Sequence, residues 1–289
     1  MSLSSIQLEA FLALAQTRNF TKAAEKIHVT QSALSQRILN LEGELATTLF
    51  IRDRAGVQLT EVATELLRYC QMKEKLEADF LSRLQAQTQN ELTGVVRISG
   101  FSSVMNSVVL ASLADLFSDN ARLGLESSTR EMNELPDLLK KGVTDFIVLD
   151  HKLDREELVA VDLGEERNVL VEKKGYKGGD VFLDHDENDL TTLRYLKLAK
   201  RKSARIERRY LDDIHGLLEG VKLGLGRAVV PMHLIRKADG IRVIDPEVIL
   251  KIPVILHYYQ QPYYSKLHQS VTQALESRAP RLLQCKDNP

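Results

Sequence analysis

Residues 20–42, FTKAAEKIHVTQSALSQRILNLE, combine an apolar stripe with a polar face at helical spacing. Leu34, Ile38 and Leu41, together with the later Leu45, recur at intervals of 4, 3 and 4 residues. That spacing follows one side of an α-helix. The stretch also carries a group of polar residues, namely Thr30, Gln31, Ser32, Ser35, Gln36 and Arg37. The pattern predicts a helix with a buried back and a front of amides and hydroxyls.

Two shorter amphipathic segments precede this helix. Ser5 is the predicted cap of the first helix, Thr21 of the second and Thr30 of the third, because a side-chain oxygen can accept a free amide at a helix start. The predicted inner faces are Leu8, Phe11, Leu12 and Ala15 in the first helix and Ala23, Ala24 and Ile27 in the second. Only a few residues, around His28 and Val29, join the second helix to the third. This arrangement predicts a helix-turn-helix.

The polar face suits contact with DNA. In a helix-turn-helix the recognition helix lies in the major groove with its N-terminal residues at the base edges. Glutamine offers a donor and an acceptor together, which fits adenine, and hydroxyls serve bases or phosphates. The predicted contact residues are Thr21, Thr30, Gln31, Ser32, Ser35, Gln36 and, on a phosphate, Arg37. The alternative is an ordinary solvated helix face.

A hairpin is predicted directly after these helices. The segments LFIR and VQLT bracket DRAG, a polar turn with glycine. Arg52 and Arg54 flank Asp53 at its tip, where the wing of a winged helix touches backbone phosphates. Residues 1–60 hold six Lys and Arg against five Asp and Glu. The unit is therefore only weakly basic, and charge alone does not establish DNA binding.

The sequence pattern then changes twice, first to a long helix and then, after a linker, to an α/β domain. From Glu61 to about Gln89 neither Gly nor Pro occurs, and an apolar stripe of Val62, Leu66, Tyr69, Leu76, Phe80 and Leu84 predicts a long helix that pairs with a partner. The polar run QAQTQNELTG is the predicted linker. After Gly94 short β-rich runs alternate with helical ones, which predicts an α/β domain of two small lobes with largely parallel sheets.

Composition limits the functional classes. The 289 residues carry 39 Lys and Arg against 40 Asp and Glu, a net charge of −1, so anion binding must be local. Two cysteines, Cys70 and Cys285, exclude a framework of several disulfides and fit a reducing compartment. We find no signal peptide and no stretch apolar enough to span a bilayer, so we expect a cytoplasmic protein that does not bind membranes.

The chain resembles the LysR-type transcriptional regulators. The resemblance rests on RNFTKAAEKIHVTQSALSQRILNLE, ELATTLFIR and VQLTEVATELL, and resumes at GVVRIS, LLKKGVTDFIVL and VKLGLGRAVVP. It implies a winged helix-turn-helix, a long linker helix and a two-lobed effector domain similar to type 2 periplasmic binding proteins. It also implies dimers through paired linker helices and, usually, homotetramers. Ala46 and Ala63 depart from the family, which commonly has glycine there, and the chain is somewhat short for the family.

Together these features predict boundaries and a ligand site. We expect a DNA-binding domain at residues 1–60, a linker helix at 61–92 and an effector domain at 93–289. Lobe I would comprise about 93–163 and 252–289, and lobe II about 164–251. The predicted effector residues lie after strand ends: Ser102, Ser103, Thr129 and Asp150. Because the two serines open a helix, whose N-terminus favours anions, an anionic effector is one hypothesis.

Other motifs have plainer interpretations. Asp184, Asp186 and Asn188 mimic the start of a calcium loop, but the glycine and glutamate positions do not fit, so a solvated turn is favoured over a metal site. Residues 197–209 hold seven basic residues and one acid, either a second anion-binding patch or plain surface. Residues 224–231, GLGRAVVP, fit a helix C-cap and turn. Cys70 is interpreted as a structural thiol.

Three functions remain open at this point. The first is a sequence-specific DNA-binding regulator controlled by a small molecule, and the second is a DNA-binding regulator without a ligand. The third is a solute-binding protein or an enzyme with the same two-lobed fold, which would leave the first ninety residues unexplained. We find no catalytic residues, no nucleophile or phosphate-binding motif, and no pattern that calls for a cofactor.

Overall fold

The computed structural model describes residues 3–53, 56–85, 92–201, 206–235 and 240–284. Side chains of residues 52, 53, 79 and 82–85 lie outside this description. The backbone divides into two compact units, one of residues 1–90 with 140–143 and the other of residues 91–139 with 144–289.

Three helices, a hairpin and a longer helix form the first unit. They are α1 (Ser5–Thr17), α2 (Phe20–Lys26), α3 (Gln31–Leu45), β1 (Phe50–Asp53), β2 (Gly56–Leu59) and α4 (Glu61–Gln85). The two strands pair antiparallel, as the sequence predicted. The predicted stripe of α3 is buried at Leu34, Ile38 and Leu41, where it packs in one core with Phe11 and Leu14 of α1.

Only one of the three predicted N-caps is right. The Thr30 hydroxyl accepts a hydrogen bond from the amide of Ala33 at 3.2 Å, as expected. At α2 the cap is Asn19, whose side chain accepts from the amide of Lys22 at 3.1 Å, so the prediction of Thr21 was wrong. At α1 the cap position is Ser4, without a side-chain bond, and Ser5 is already helical. Asn is a stronger cap than Thr, which explains the shift of α2.

The apolar stripe of α4 divides between core and solvent. Leu66 is buried in the core of the first unit, whereas Val62, Tyr69, Leu76 and Phe80 are 43%, 46%, 51% and 60% exposed. The predicted end near Gln89 lies outside the described residues, since α4 is described to Gln85. An apolar face of this size on one helix is typical of a surface that another chain covers.

The second unit alternates strands and helices. Its strands are β3 (Gly94–Gly100), β4 (Leu123–Thr129), β5 (Phe146–Leu149), β6 (Leu158–Lys173), β7 (Val181–Asp184), β8 (Glu207–Tyr210), β9 (Arg227–Pro231), β10 (Ile241–Ile244) and β11 (Leu250–Tyr259). Its helices are α5 (Ser102–Val104), a π-helical turn (Met105–Leu110), α6 (Ala111–Asp119), α7 (Leu135–Lys140), α8 (Thr191–Leu198), α9 (Ile214–Leu223), a 3₁₀ turn (Met232–Leu234) and α10 (Lys266–Leu283).

Within the described residues these nine strands form one sheet in the order β4-β3-β5-β11-β6-β9-β7-β8, with β10 also paired to β6. The pairs β3–β4, β3–β5, β7–β8 and β7–β9 are parallel. In the middle, β11 and β6 run antiparallel to each other and to their neighbours. The sheet is therefore mixed, and the prediction of largely parallel sheets holds only toward its two ends.

The long strands β6 and β11 pass from one apolar core to another. One core contains Val96, Ile98 and Val271, and a second contains Val169, Leu217 and Val230. At the first core, to which Leu163 and Val254 belong, the pairing of β6 with β11 shifts, so that Val254 faces Gly164 and Ile255 faces Asp162, which leaves Leu163 as an extra residue. Such a β-bulge bends the strand, and Gly164 takes a φ of 118°, which suits glycine. The two cores define two lobes.

Across the described residues, no helix has the length and apolar character needed to cross a membrane.

Candidate DNA interface and interlobe cleft

The predicted polar face of α3 lies on the outside of the first unit. Gln31, Ser32 and Gln36 are exposed, Ser35 is half-buried, and the capping residue Thr30 is exposed. The Thr30 and Ser32 hydroxyls lie 3.0 Å apart, and either can donate to the other. The stripe behind these residues is fully packed, with Leu34 and Leu41 at 0% exposure. A rigid helix therefore presents amides and hydroxyls to solvent from one continuous arc.

Arg37 lies away from that arc. Its guanidinium is 4.0 Å from the carboxylate of Glu9 on α1, and its side chain is 29% exposed. At 100° per residue, its direction falls on the flank opposite Gln31 and Ser35. Its geometry therefore supports a role in holding α1 against α3 more than the predicted phosphate contact.

Two residues that the sequence analysis did not select belong to the exposed arc. Leu39 is 60% exposed although it is a large apolar side chain. Asn40 accepts a hydrogen bond from the Gln36 amide at 2.8 Å, which orients the Gln36 side chain. The signal for Leu39 was present, because it falls outside the stripe of Leu34, Ile38 and Leu41. An exposed leucine beside amides is suited to the methyl group of thymine.

The hairpin is held to α3 by a carboxylate. Glu42 Oε1 accepts hydrogen bonds from the amides of Leu49 at 2.7 Å and Phe50 at 3.2 Å, just where β1 begins. Arg18 Nη1 donates to the carbonyl of Val57 on β2 at 3.5 Å. Burial lowers the pKa of the Arg18 guanidinium. The position of the hairpin relative to α3 is thus fixed by polar contacts that the sequence analysis missed.

All the predicted DNA contacts remain predictions, including those of Arg52, Arg54 and Thr21. The side chain of Arg52 and all of Arg54 lie outside the described residues. Thr21 is exposed in the first turn of α2, free of the capping role. His28, in the turn between α2 and α3, has a φ of 55° and is exposed, so it shapes the turn through its backbone.

In the second unit, the predicted effector residues differ in burial. Ser103 is 8% exposed and Ser102 half-buried at the start of α5, while Thr129 is exposed at the end of β4. Asp150, directly after β5, has a side chain that is 22% exposed. Ser103 and Asp150 both act on one buried carboxyl group, that of Glu166 on β6, whereas nothing brings Thr129 to it. The structure therefore groups two of the four predicted residues.

Glu166 is the most perturbed acid of this region. It is 2% exposed, and its Oε1 has no hydrogen-bond partner. Burial, reinforced by the negative charge of Asp150 and opposed by a hydrogen bond from Ser103, raises the pKa of Glu166 to about 8. Sequence analysis missed it because a glutamate within LGEERNV has no local pattern that predicts burial.

His233 joins the two lobes beside Glu166. It lies in the 3₁₀ turn after β9, and its Nε2 is 3.0 Å from Ser107 Oγ and 3.3 Å from the carbonyl of Ser103. Ser107 donates its proton to the Ser103 carbonyl at 2.7 Å, so it must accept from His233 Nε2–H. Burial lowers the pKa of His233, which favours the neutral ring. Its Nδ1 then has a free lone pair and no partner.

We name Ser103, Glu166, Asn168 and His233 the cleft cluster. Glu166 Oε1 lies 3.6 Å from His233 Nε2, and Asn168, two residues along β6, is 3% exposed with an unpaired Nδ2. At the exposed rim, Asn106 Nδ2 lies 3.5 Å from His215 Nε2, a second contact between the lobes. The lobes thus close over the cleft cluster. Its polar atoms are removed from water, and several of them have no hydrogen-bond partner in exchange.

The remaining motifs have structural roles. Asp184 is buried and pairs with Arg208 at 2.5 Å and with the Thr192 hydroxyl at 2.5 Å. Arg201 pairs with Asp245 at 2.6 Å, so part of the basic segment is surface ion pairing, although its residues 202–205 lie outside the described chain. Gly224 caps α9 with a φ of 80°, as predicted. No cluster of three metal-ligating side chains occurs in the described part of the chain.

Cys70 is buried in the core of the first unit at 2% exposure. Burial, with a smaller contribution from Glu74, raises the pKa of its thiol to about 11. A thiol in this state is a poor nucleophile. The structure supports the interpretation of Cys70 as a packing residue, while Cys285 lies outside the described residues.

Fold and sites together define a helix-turn-helix protein whose second unit is a two-lobed α/β binding domain. Residues 6–64 match the model of the lysR family of bacterial regulatory helix-turn-helix proteins, and residues 89–280 match the LysR substrate binding domain. The chain belongs to the LysR family of transcription regulators, DNA-binding proteins that carry an effector-binding domain.

Individual proteins agree with this assignment. The transcriptional regulator EstR of Acinetobacter baylyi is 27% identical over 191 residues, which cover 66% of this chain and 63% of EstR. The match thus spans less than two thirds of that relative. ArgP from Mycobacterium tuberculosis has a similar fold, with a TM-score of 0.79 at 21% identity over 96% of this chain and 98% of ArgP. Full-length LysG from Corynebacterium glutamicum with bound effector Arg has a TM-score of 0.74 at 18% identity over 96% and 99%.

Proposed function

We propose that this chain is a sequence-specific regulator of transcription that binds operator DNA through α3. The observation that carries this proposal is the exposed arc of Gln31, Ser32, Ser35 and Gln36 on a helix whose opposite side is completely buried. Amide and hydroxyl groups held rigidly at the N-terminal end of a recognition helix match the donor and acceptor pattern of the major groove. Leu39 adds an apolar contact at the same surface.

The second element of the proposal is a dimer through α4. Tyr69, Leu76 and Phe80 are exposed on one helix, and a second copy would bury them. Each dimer would then present two recognition helices to half-sites about one or more helical turns apart. Dimers of dimers would give the homotetramer that the family resemblance implies. We propose the boundaries 1–60, 61–92 and 93–289 for the DNA-binding, linker and effector parts.

The third element is control by a small molecule in the interlobe cleft. The bulge between β6 and β11 and the two contacts between lobes, His233 to Ser107 and Asn106 to His215, give the domain a hinge and a closure. A ligand that binds one arrangement of the lobes more tightly shifts the population toward it. The similar LysG of Corynebacterium glutamicum has been solved with its effector, Arg, bound. In this chain, the same kind of control would change the spacing of the recognition helices.

A gel-shift titration tests the DNA-binding proposal. Purified full-length protein is mixed with genomic fragments that flank its gene, at moderate salt and with excess random competitor. We expect one or a few fragments to be retarded at concentrations at least tenfold lower than random DNA. Equal affinity for all fragments would refute sequence-specific binding. A thermal-shift screen with metabolites then separates a ligand-controlled regulator, whose stability rises with one ligand, from a regulator without a ligand.

A further inference from the structure

Among the residues that the structure describes, Glu166 has no cationic partner. Among the described residues no lysine or arginine pairs with it, and the charged group that acts on it most is Asp150, another acid. His233 lies 3.6 Å away but points its Nε2–H at Ser103 and Ser107. By contrast, the buried Glu172 on the same strand accepts from Arg227 at 2.8 Å and Arg242 at 2.8 Å. Within the described part of the chain, one buried glutamate of β6 is thus neutralised by arginines and the other has no counter-charge.

Two of the unpaired atoms in the cleft cluster are acceptors that call for hydrogen-bond donors, while the third, Asn168 Nδ2, is a donor that calls for an acceptor. Glu166 Oε1 has no partner, and the lone pair of His233 Nδ1 has none either. Unpaired buried acceptors cost free energy that a donor recovers, and the recovery is larger for a charged donor beside a carboxylate. Asp150, whose side chain is 22% exposed and lies 2.6 Å from His151 Nδ1, adds negative potential at Glu166. An ammonium or guanidinium group would satisfy both acceptors and the negative potential.

We infer that the interlobe cleft selects a small molecule with a protonated amine or guanidinium group, and that Glu166 is its counter-ion. Asp150 attracts the cation at the rim, and His233 Nδ1 accepts one of its N–H groups. This inference deepens the proposed function and rests on it for the site, but it replaces the anionic effector that Ser102 and Ser103 suggested. A carboxylate elsewhere in the ligand is compatible with the α5 end of the cleft, so amino acids and polyamines are both members of the class.

Binding must release a proton. In the closed, ligand-free cleft the raised pKa of Glu166, about 8, means that the carboxyl group holds a proton at neutral pH. When the cation arrives, Glu166 gives that proton to solvent and the carboxylate pairs with the ligand. The affinity for a cationic ligand therefore rises with pH up to about 8 and levels off above it.

Calorimetry on the full-length protein tests the inference. The probes are agmatine and putrescine, which are cations without a carboxylate, L-arginine, which has both charges, and glutarate, which has only carboxylates. Each is titrated at millimolar concentration and neutral pH in phosphate and in Tris buffer, whose ionisation enthalpies differ. We expect at least one cationic probe to bind with release of up to about one proton, and glutarate not to bind.

Two variants separate Glu166 from its surroundings. Glu166→Gln keeps the shape and removes the charge, and should weaken the cation roughly ten- to a hundredfold and abolish proton release. Glu165→Gln is the matched control, because Glu165 is an exposed neighbour on β6 that pairs with Lys251 at 2.9 Å; it should bind like the wild type.

Three results would overturn the inference: no binding of any cationic probe, binding without proton release by the wild type, or tighter binding of glutarate. The proton release of the wild type decides the matter even if Glu166→Gln does not fold. Operator binding by the wild type without probes is measured in parallel. A failure there would strike the proposed function, whereas calorimetry alone judges the ligand class.

Discussion

The polar face of α3 and the cleft cluster both contain serine and amide side chains, yet they differ in burial, in spacing along the chain and in charge state. Gln31 and Gln36 are exposed and come from one short segment. Glu166 and His233 are buried and lie 67 residues apart in the chain. Exposed polar groups keep their bound water and their ordinary charge, so they cost the fold little free energy. They can exchange that water for contacts with DNA. Buried ones lose water, and their charge state becomes part of the fold.

The largest expected effect tests the back of the DNA-binding face. Leu41→Ala should lower the free energy of unfolding by about 2–5 kcal/mol, because Leu41 is 0% exposed in the core behind α3. Leu39→Ala makes the same change on the front of the same helix at 60% exposure, and should alter stability by less than about 0.5 kcal/mol. Urea unfolding monitors both. Equal losses would mean that the two faces are not as different as the structure shows.

The next effect tests the cleft without any ligand. Glu166 has a folded-state pKa of about 8, well above its unfolded value, so the folded protein holds a proton that the unfolded chain releases. The stability contributed by this group is present below the unfolded pKa and is lost as pH rises to about 8. Glu166→Gln should therefore stabilise the protein increasingly from about pH 5 to 8, by on the order of a few kcal/mol at the upper end.

Thermal unfolding of the wild type and the variant at several pH values checks this. Glu165→Gln, exposed on the same strand, controls for the simple loss of a carboxylate. A difference between Glu166→Gln and wild type that stays constant with pH would show that Glu166 is ionised throughout, as an exposed acid would be.

A smaller effect tests which residues of the DNA-binding domain contact bases and which contact phosphates. Gln31→Ala should reduce the preference for operator over random DNA by about 1–3 kcal/mol, since it removes an amide that we propose contacts a base. Arg54→Ala should weaken operator and random DNA about equally, because a phosphate contact carries no sequence information. Competition gel shifts measure both ratios. The opposite assignment of effects would exchange the roles of helix and hairpin.

The smallest effect concerns the end of α3. Ala46 has a φ of 50°, in the left-handed region that glycine adopts without strain. Ala46→Gly should raise the free energy of unfolding by about 0.5–1 kcal/mol, the relief of strain exceeding the entropy of the added glycine. Ala78→Gly, on exposed regular helix α4, should lower it by a similar amount. The same sign in both variants would argue against strain at Ala46.

The comparison also shows how far sequence reasoning extends. The Thr30 cap, the buried stripe of α3 and the hairpin were predictable, because each depends on neighbours within a few residues. The departure at Ala46 from the glycine that is common in the family was visible in the sequence, and the structure gives Ala46 the positive φ that glycine adopts readily. The choice of Thr21 as the cap of α2 failed by two residues, since Asn19 is also a capping type and the stronger one.

The cleft was harder to predict for physical reasons. Ser103 and Asp150 could be placed at strand ends by topology alone. The proximity of Glu166 and His233 could not be predicted, because it depends on how the long strand β6 and the turn after β9 pack together. The first half of β6, from Leu158, gave no clear strand signal, because its charged residues interrupt the alternation. The π-helical turn at Met105–Leu110, which positions Ser107 toward His233, has no signature in the sequence.

The carboxylate of Glu42, which accepts the amides of Leu49 and Phe50, has a mechanical consequence. It joins the recognition helix directly to the start of β1, so we expect the helix and the hairpin to move together. An operator whose groove and flanking backbone do not match the spacing between helix and hairpin must then deform in order to contact both. Easily bent base steps beside the half-site would therefore be favoured although no side chain touches them.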